Sequence, residues 1–352
     1  MALDPNAKAA ASGPASGPWR VAWRRLRRNR VALGFLGLLV LIVAFCLAAP
    51  LWAAHVARTG PNETHTLEKI QAGGEEREVV NREGKPIGPQ WLEAGGRFFL
   101  GADGRLGRDE MVRLMYGGRT SLLIGFAAAA ITTLLGAILG LLAGYYGGWS
   151  DTLISRAMDV VWAFPVALLA IALGLALAVG GLNIGPLHLS SGSIWITILV
   201  IGVVYVPYMA RPIRGEALAL REKEFVEAAE AQGASSPRVM FGELLPNLAS
   251  TIIVFFALSV ANAMLLEALL SFLGVGVQPP NGSWGTMLNG GLDLLTSAPM
   301  LTYLPGAMIL LTVLAVNVFA DGLRDALDPK SKARIEAHSG FTAAEVTEGI
   351  AP

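Results

Sequence analysis

The sequence predicts an all-α membrane protein with six transmembrane helices, and three observations carry that expectation. Apolar residues fill 53% of the 352 positions and charged ones only 15%, a balance too greasy for an ordinary soluble domain. Long stretches without Asp, Glu, Lys or Arg recur along the chain, several of them reaching the roughly 20 residues needed to cross a bilayer. Basic residues gather beside alternate stretches, the pattern that orients membrane helices. Net charge is zero, so whole-chain electrostatics offers no case for a nucleic acid or an acidic ligand.

Taken in order, residues 1–30 form a basic tail. Its first 19 positions are rich in Ala, Pro, Gly and Ser and read as disordered. Arg20, Arg24, Arg25, Arg27, Arg28 and Arg30 then stand directly before the uncharged run Val31–Ala54. That run, residues 31–54, is too long for the core of a signal peptide and reads as an uncleaved first transmembrane helix. Beside a span, an arginine cluster is a positive-inside anchor rather than a nucleic-acid patch, so the N-terminus is expected in the cytoplasm.

Residues 55–118 turn polar, with nine Lys/Arg against ten Asp/Glu, and are expected to form the one long extracytoplasmic loop. Its middle, about 59–98, alternates charges with Gly and Pro and could hold a small hairpin around Glu78 to Pro86. The segment that follows, Gly101-Ala-Asp103-Gly-Arg-Leu-Gly107-Arg108-Asp109, is a glycine-punctuated turn with alternating charges, suited to a rigid lid or interface. Asp103 and Asp109 are too few ligands for a calcium-type site.

Residues 119–322 hold the remaining five spans. Ser121–Ala143 is uncharged and leads into a stripe of Gly136, Gly140, Gly144 and Gly148 at four-residue spacing, which lets another helix come close. Arg156 and Asp159, three apart, can pair on one helix face. No charge occurs between Asp159 and Arg211, and Gly180-Gly181 with Ser190-Ser191-Gly192 divides those 51 residues into two spans, Val160–Val179 and Ile194–Ala210, the second kinked at Pro207. Leu248–Leu266 is the next span. It contains Asn262 and reaches Glu267, and a polar group at such depth either makes fixed hydrogen bonds to its neighbours or lines a path. The last run, Leu294–Ala320, holds Pro299 and Pro305, so its helix is expected from about Leu304. Residues 323–352 form a C-terminal tail.

Between the fourth and fifth spans, residues 212–248 are charged. Strong helix formers fill nearly every position from Glu216 to Gln232, predicting one helix there. Gly233 stops it, Ser235 or Ser236 can cap a second helix, and Pro237 suits its first position. Ala228, Ala229, Ala231 and Ala234 line the turn, and their small side chains would let another protein approach the backbone. Charge supports placing this hairpin with the N-terminus. The segments assigned inside carry Arg214, Arg221, Lys223, Arg238, Arg324, Lys330, Lys332 and Arg334, while the short outside loops 180–193 and 274–298 carry no Lys or Arg. The expectation is a multi-pass protein with both termini cytoplasmic.

Glu227-Ala228-Ala229, then Gly233, then Leu245-Pro246-Asn247 resemble the EAA loop of ABC importer permeases, with Glu243 departing from the family pattern. Gly101 to Asp109, followed by Arg113, Tyr116-Gly117-Gly118-Arg119 and Ser121-Leu122-Leu123, resembles the G-T-D-x-x-G-R-D segment of the second, C-type permease subunit of dipeptide and oligopeptide importers, Ala102 replacing the threonine. Glu267-Ala-Leu-Leu-Ser-Phe-Leu-Gly-Val-Gly-Val and Asp321-Gly322 through Asp328-Pro329 resemble two further motifs of that peptide/nickel family. The resemblance spans roughly residues 20–330 and implies a type I ABC importer permease fold in a bacterial inner (plasma) membrane. It implies a homologous permease subunit, two ABC ATPase subunits, an extracytoplasmic substrate-binding protein and a peptide substrate as partners. Arg221, Glu224, Glu227, Ala228, Ala229, Gly233 and Pro246 would then couple to the ATPase, Arg221 and Glu224 as rim charges. Asp103, Gly107, Arg108 and Asp109 would form an extracytoplasmic gate or interface, and residues 59–98 would meet the binding protein.

The chain is expected to be no enzyme. Gly84-Lys85 is the nearest approach to a Walker sequence, but Pro86 stands where Ser or Thr belongs and Val79 where the leading glycine belongs. ATP and Mg would therefore be bound by the partner ATPases, and no cofactor by this chain. His55, His65, His188 and His338 lack metal-ligand spacing, Cys46 is alone, and no G-x-S-x-G nucleophile motif occurs. A secondary transporter or channel working without ATP is the alternative; it would need internal charges or broken helices in more than one span.

Overall fold

The computed structural model describes residues 18–104, 106–184, 187–190 and 192–327. The expected disorder of the N-terminal tail falls largely on residues 1–17, and the tail beyond Leu327, with Lys330, Lys332, Arg334 and His338, also lies outside the described residues.

An arginine-bearing helix α1 (Pro18–Leu26) leads into α2 (Arg30–Leu47), whose first turn is capped by the Asn29 side chain accepting from the Ala32 N–H at 3.0 Å. A short helix α3 (Ala49–Trp52) and a π-helical turn (Ala53–Ala57) carry the chain out of this first span. Next comes a small folded unit rather than a bare loop. Strands β1 (Lys69–Ala72) and β2 (Glu75–Glu78) pair antiparallel, Lys69 opposite Glu78 and Ala72 opposite Glu75. Gly73 and Gly74, with φ of 60° and 84°, supply the two left-handed positions that a tight two-residue hairpin requires. The turn expected around Glu78–Pro86 follows directly, as an antiparallel bridge between Val80 and Pro86 flanked by Ile87 N–H donating to the Val79 carbonyl at 2.8 Å and Asn81 N–H to the Lys85 carbonyl at 3.0 Å. Ile70, Ala72, Val79, Phe98 and Ala102 bury together as its core.

Helix α4 (Glu110–Tyr146) runs 37 residues, about 55 Å at 1.5 Å per residue, and begins inside what the sequence suggested was still loop. The last nine residues of the expected 55–118 loop are its first turns, because the Asp109 side chain caps it by accepting from Val112 N–H at 3.0 Å. Gly136, Gly140 and Gly144 face α8 (Val206–Arg221) as the glycine stripe predicts, on an interface within the bundle. A Cβ on Gly140 would sit 2.5 Å from the Ala210 carbonyl oxygen and one on Gly144 2.6 Å from Ala217 Cβ. Gly148 is not part of the stripe; it opens α5 (Gly148–Trp162) with nothing within 4 Å of a Cβ there.

The third span departs from expectation. Instead of one helix from Val160 to Val179, α5 (Gly148–Trp162) and α6 (Val166–Gly180) meet at 85°. Pro165 supplies no N–H and drives Phe164 out of helical geometry. At 15 residues, α6 is only about 22 Å long, so neither arm alone crosses a full bilayer. A second hairpin, β3 (Leu182–Ile184) with β4 (Leu187–Leu189), leads to α7 (Ile194–Val204). The break before α8 falls at Tyr205, with Pro207 in the first turn of α8 as expected of a kink.

Beyond the elbow described below, α11 (Leu245–Phe272), the short α12 (Trp284–Gly291) and α13 (Met300–Leu327) complete the bundle. Helix α13 starts about one turn earlier than its prolines suggested, with Pro305 inside it and buried. Among the described residues five helices are long and apolar enough to span a membrane, and the bent α5–α6 pair, counted as one span, makes a sixth. Three buried clusters hold them together, and α4 contributes to all three: with α2, α11, α12 and α13, with α6, α7 and α11, and with α8 and the elbow. Leu26 and Ala32 bury against Ala326, so α1 and the end of α13 share one end of the molecule.

Candidate functional site

The charged segment between the fourth and fifth spans forms an elbow, built differently from the continuous helix its composition predicts. Helix α8 stops at Arg221, Lys223 is extended with ψ 146°, and α9 (Glu224–Ala231) starts afresh. Tertiary packing overrides propensity here. The break lets Val226 turn inward and bury with Val239, Met240 and Leu244 against Tyr145 of α4. Gly233 then holds φ at 81°, a left-handed conformation that costs other residues free energy. Ser235 precedes α10 (Ser236–Arg238), so Pro237 is its second residue rather than its first, and a π-helical stretch from Val239 to Leu244 runs into α11.

The proposed coupling residues divide into two groups. Glu224, Glu227, Ala228, Gly233 and Pro246 are exposed, and Ala229 is half-buried against the elbow's core. No heavy atom lies within 4 Å of a Cβ placed on Gly233, so the tip is open to an approaching surface. Phe225 and Phe241, 37% and 58% exposed, add apolar area that the motif does not mark. Arg221 belongs to the other group. Its guanidinium donates to the Tyr145 carbonyl oxygen at 2.9 Å, tying the elbow to the last turn of α4 rather than standing as a free rim charge. Tyr145 completes the tie by donating its hydroxyl to Glu230 Oε1 at 3.1 Å.

Sequence reasoning missed this anchor, whose partners lie 76 and 85 positions apart. The Arg156–Asp159 pair expected on one helix face is present, but a second, nearer partner of Asp159 was not foreseen. That carboxylate sits 2.9 Å from Arg211 on α8 and 3.9 Å from Arg156, and Arg211 stacks on Trp162 at 4.5 Å. Asp151 and Arg214 form a second tie between α5 and α8. A cluster of basic and acidic residues on both sides of one long uncharged run was the available signal.

At the opposite end, the turn from Gly101 to Asp109 folds on itself. Asp103 accepts from the Arg108 side chain at 2.6 Å and its backbone N–H at 2.9 Å, with the Arg113 guanidinium at 3.7 Å. Gly107, φ 62°, lies against the His65 backbone, where a Cβ would approach its carbonyl carbon to 3.0 Å. Asp109 is fully buried, caps α4 and accepts from Phe98 N–H at 2.6 Å; burial raises its carboxyl above the usual range despite these bonds. The motif therefore clamps the outer unit to α4. Within that unit Arg97 donates to both oxygens of Glu68 at 2.7 and 3.0 Å, holding this carboxyl below its ordinary value, and His65 bridges Glu68 and Thr59.

Glu267 is 1% exposed and makes fixed bonds. Ser121 of α4 donates to its Oε2 at 2.9 Å and Ser271 to its Oε1 at 2.7 Å. Those hydroxyls accept in turn from Trp284 N–H at 3.2 Å and Val277 N–H at 3.1 Å, so one carboxyl organises α4, α11 and the chain leading into α12. This supports the frame over the path. Asn262 is half-buried on the same α11 face as Phe255, which meets Tyr208 of α8 at 5.6 Å.

Residues 136–333 match the family model described as the binding-protein-dependent transport system inner membrane component, and residues 17–66 match the N-terminal transmembrane domain of oligopeptide transport permease C. The dipeptide transport system permease protein DppC of Alkalihalophilus pseudofirmus is 38% identical over 90% of this chain and 91% of its own. The di/tripeptide permease DppC of Pseudomonas aeruginosa is 39% identical over 90% and 93%, and the glutathione permease GsiD of Pectobacterium atrosepticum 36% over 90% and 92%. A structure of the inward-facing MetNI methionine ABC transporter aligns with 61% of this chain and 96% of its own at 17% identity and a TM-score of 0.48.

Proposed function

This chain belongs to the binding-protein-dependent transport inner-membrane family and is the multi-pass permease subunit of an ATP-driven importer, and from that premise we propose that it carries di- or oligopeptides and is driven through its elbow. Relatives whose names specify dipeptide, di/tripeptide and glutathione transport support a peptide-class cargo. The partners would be a homologous permease, two ABC ATPase subunits that bind the ATP and Mg, and an extracytoplasmic binding protein. The membrane would be the bacterial inner membrane, with both termini and the elbow on the cytoplasmic side and the outer unit facing the receptor.

One observation carries the coupling role: Glu224, Glu227, Ala228 and Gly233 are exposed on a tip whose base is packed and hydrogen-bonded to α4 and α8. Such a tip can transmit force, because its root moves only with the bundle. Nucleotide closing the ATPase pair would draw two elbows together, and rigid-body rocking of the bundles would switch which side the path opens to. Gly233→Trp puts a bulky group on that tip, where a Cβ has nothing within 4 Å and the cost within this chain is the left-handed backbone position alone. The variant is expected in the membrane at normal level while ATP-driven uptake and ATPase co-purification are lost. Wild-type uptake by Gly233→Trp would sink the coupling assignment, and uptake that survives ATP depletion but collapses with the ion gradient would sink the mechanism.

A further inference from the structure

An open cleft of about 550 Å³ lies between α2 and α4. Its walls are apolar: Val43 and Leu47 from α2, Leu123 and Phe126 from α4. Leu47, Leu123 and Phe126 are 63%, 46% and 39% exposed, so the cleft is open along its side. Of the spanning helices, α2 is the least enclosed by the rest of the chain, with 17% of its apolar window buried. One full charge stands in this apolar setting, Arg119. Among the described residues no carboxylate pairs with it, and its guanidinium lies over the Tyr116 ring at 5.4 Å.

Depth decides what that charge can meet. Arg119 is nine residues past Glu110, about 13 Å along α4 from its outer end. Its neighbour Gly118 abuts Cys46 of α2, next to the end of that helix at Leu47, so this level lies near the outer end of the first apolar run. Tyr116 is one helical turn nearer the outer end, so a guanidinium over its ring reaches outward. That is the posture of an arginine stretching from an apolar site toward headgroups.

We propose that this cleft is a binding site for an anionic phospholipid of the leaflet on the outer-unit side, its phosphate held by Arg119 and one acyl chain laid along Val43, Leu47, Leu123 and Phe126. Charge complementarity selects the headgroup: a planar guanidinium matches phosphate oxygens two at a time. The apolar walls select a chain of hydrocarbon rather than a polar cargo. The site is independent of which substrate the importer carries, and only the choice of leaflet rests on the proposed orientation.

The test uses the full chain assembled with its partner subunits. Complexes extracted from membranes containing palmitoyl-oleoyl phosphatidylglycerol and phosphatidylcholine are examined by native mass spectrometry. Wild-type protein is expected to retain phosphatidylglycerol selectively, Arg119→Ala to lose that preference at least tenfold, and Arg119→Lys to keep part of it. Equal retention by wild type and Arg119→Ala overturns the proposal. Because Arg119→Ala could fail to assemble, a second measurement leaves the cleft intact: a fluorophore on Leu51→Cys, exposed one turn beyond Leu47 and outside the cleft lining, is challenged in nanodiscs with spin-labelled phosphatidylglycerol against spin-labelled phosphatidylcholine. Stronger quenching by phosphatidylglycerol supports the site and equal quenching overturns it; no quenching, together with photo-crosslinking from that position to the second permease, assigns the cleft to a protein partner and also overturns it.

Discussion

Replacing Glu267 by leucine removes the acceptor of the buried Ser121 and Ser271 hydroxyls, beside which Ser283 faces the same carboxyl, while keeping most of the side-chain volume. Ser121 and Ser271 are each 1% exposed and direct their protons at this carboxyl, while their lone pairs already receive Trp284 and Val277 N–H groups. At 1% exposure neither hydroxyl reaches bulk solvent. Stranding a buried donor costs about 1–3 kcal/mol, so Glu267→Leu is expected to destabilise the chain by roughly 2–6 kcal/mol for the pair. Glu267→Gln keeps one oxygen as acceptor and turns an amide N–H toward the other serine, stranding a single proton, for about 1–3 kcal/mol. Equilibrium unfolding of the purified subunit in mixed micelles, titrated with SDS, gives the two differences directly. The expected order is wild type, then glutamine, then leucine. If both variants unfold like wild type yet uptake is lost, Glu267 serves the cargo path and the hydrogen-bond frame argued here is wrong. Glutamine costing as much as leucine would equally refute the one-versus-two accounting.

Arg221→Ala should loosen the elbow without unfolding the bundle. Losing the bond to the Tyr145 carbonyl is expected to cost about 1 kcal/mol at this exposed position and to raise amide hydrogen exchange in residues 224–232 while that of α11 is unchanged; unchanged exchange in α9 would remove Arg221 from its anchoring role. The outer unit should respond to acid through Glu68. Its carboxyl is held by Arg97 below its ordinary value of 4.5, so the pair's contribution is present above that pH and is lost as pH falls through the lower folded value. Pepsin nicking between residues 69 and 98, normalised to denatured protein at each pH, should therefore rise in wild type on acidification below that point. Glu68→Gln should lack this rise, and an identical profile in the two proteins would discard the linkage.

Much of the elbow was legible locally. Gly233 punctuates a run of helix formers, and its φ of 81° is the conformation that only glycine adopts without strain. The glycine stripe on α4 likewise announced a close helix contact, since spacing alone puts Gly136, Gly140 and Gly144 on one face. Pro165 was an equally local signal for the bend between α5 and α6, and it was passed over because hydropathy continues smoothly through it. The break at Glu222–Lys223 had no such signal, because every residue there favours helix and the gain comes from burying Val226.

By itself, then, the sequence determined the membrane class, the number of apolar runs, the family and the turn at Gly233. These depend on composition, on spacing along one segment and on the freedom of single backbone positions, all of which are readable without a partner. Only the tertiary structure decided that Arg221 ties the elbow to α4, that Asp159 takes Arg211 as its nearer partner, that the outer segment folds around its own core, and that Glu267 is enclosed by serines. Each of these depends on groups brought together from distant parts of the chain, Ser121 and Glu267 being 146 positions apart. The geometry of a buried hydrogen bond is fixed by how helices pack, and no local pattern of residues encodes that packing.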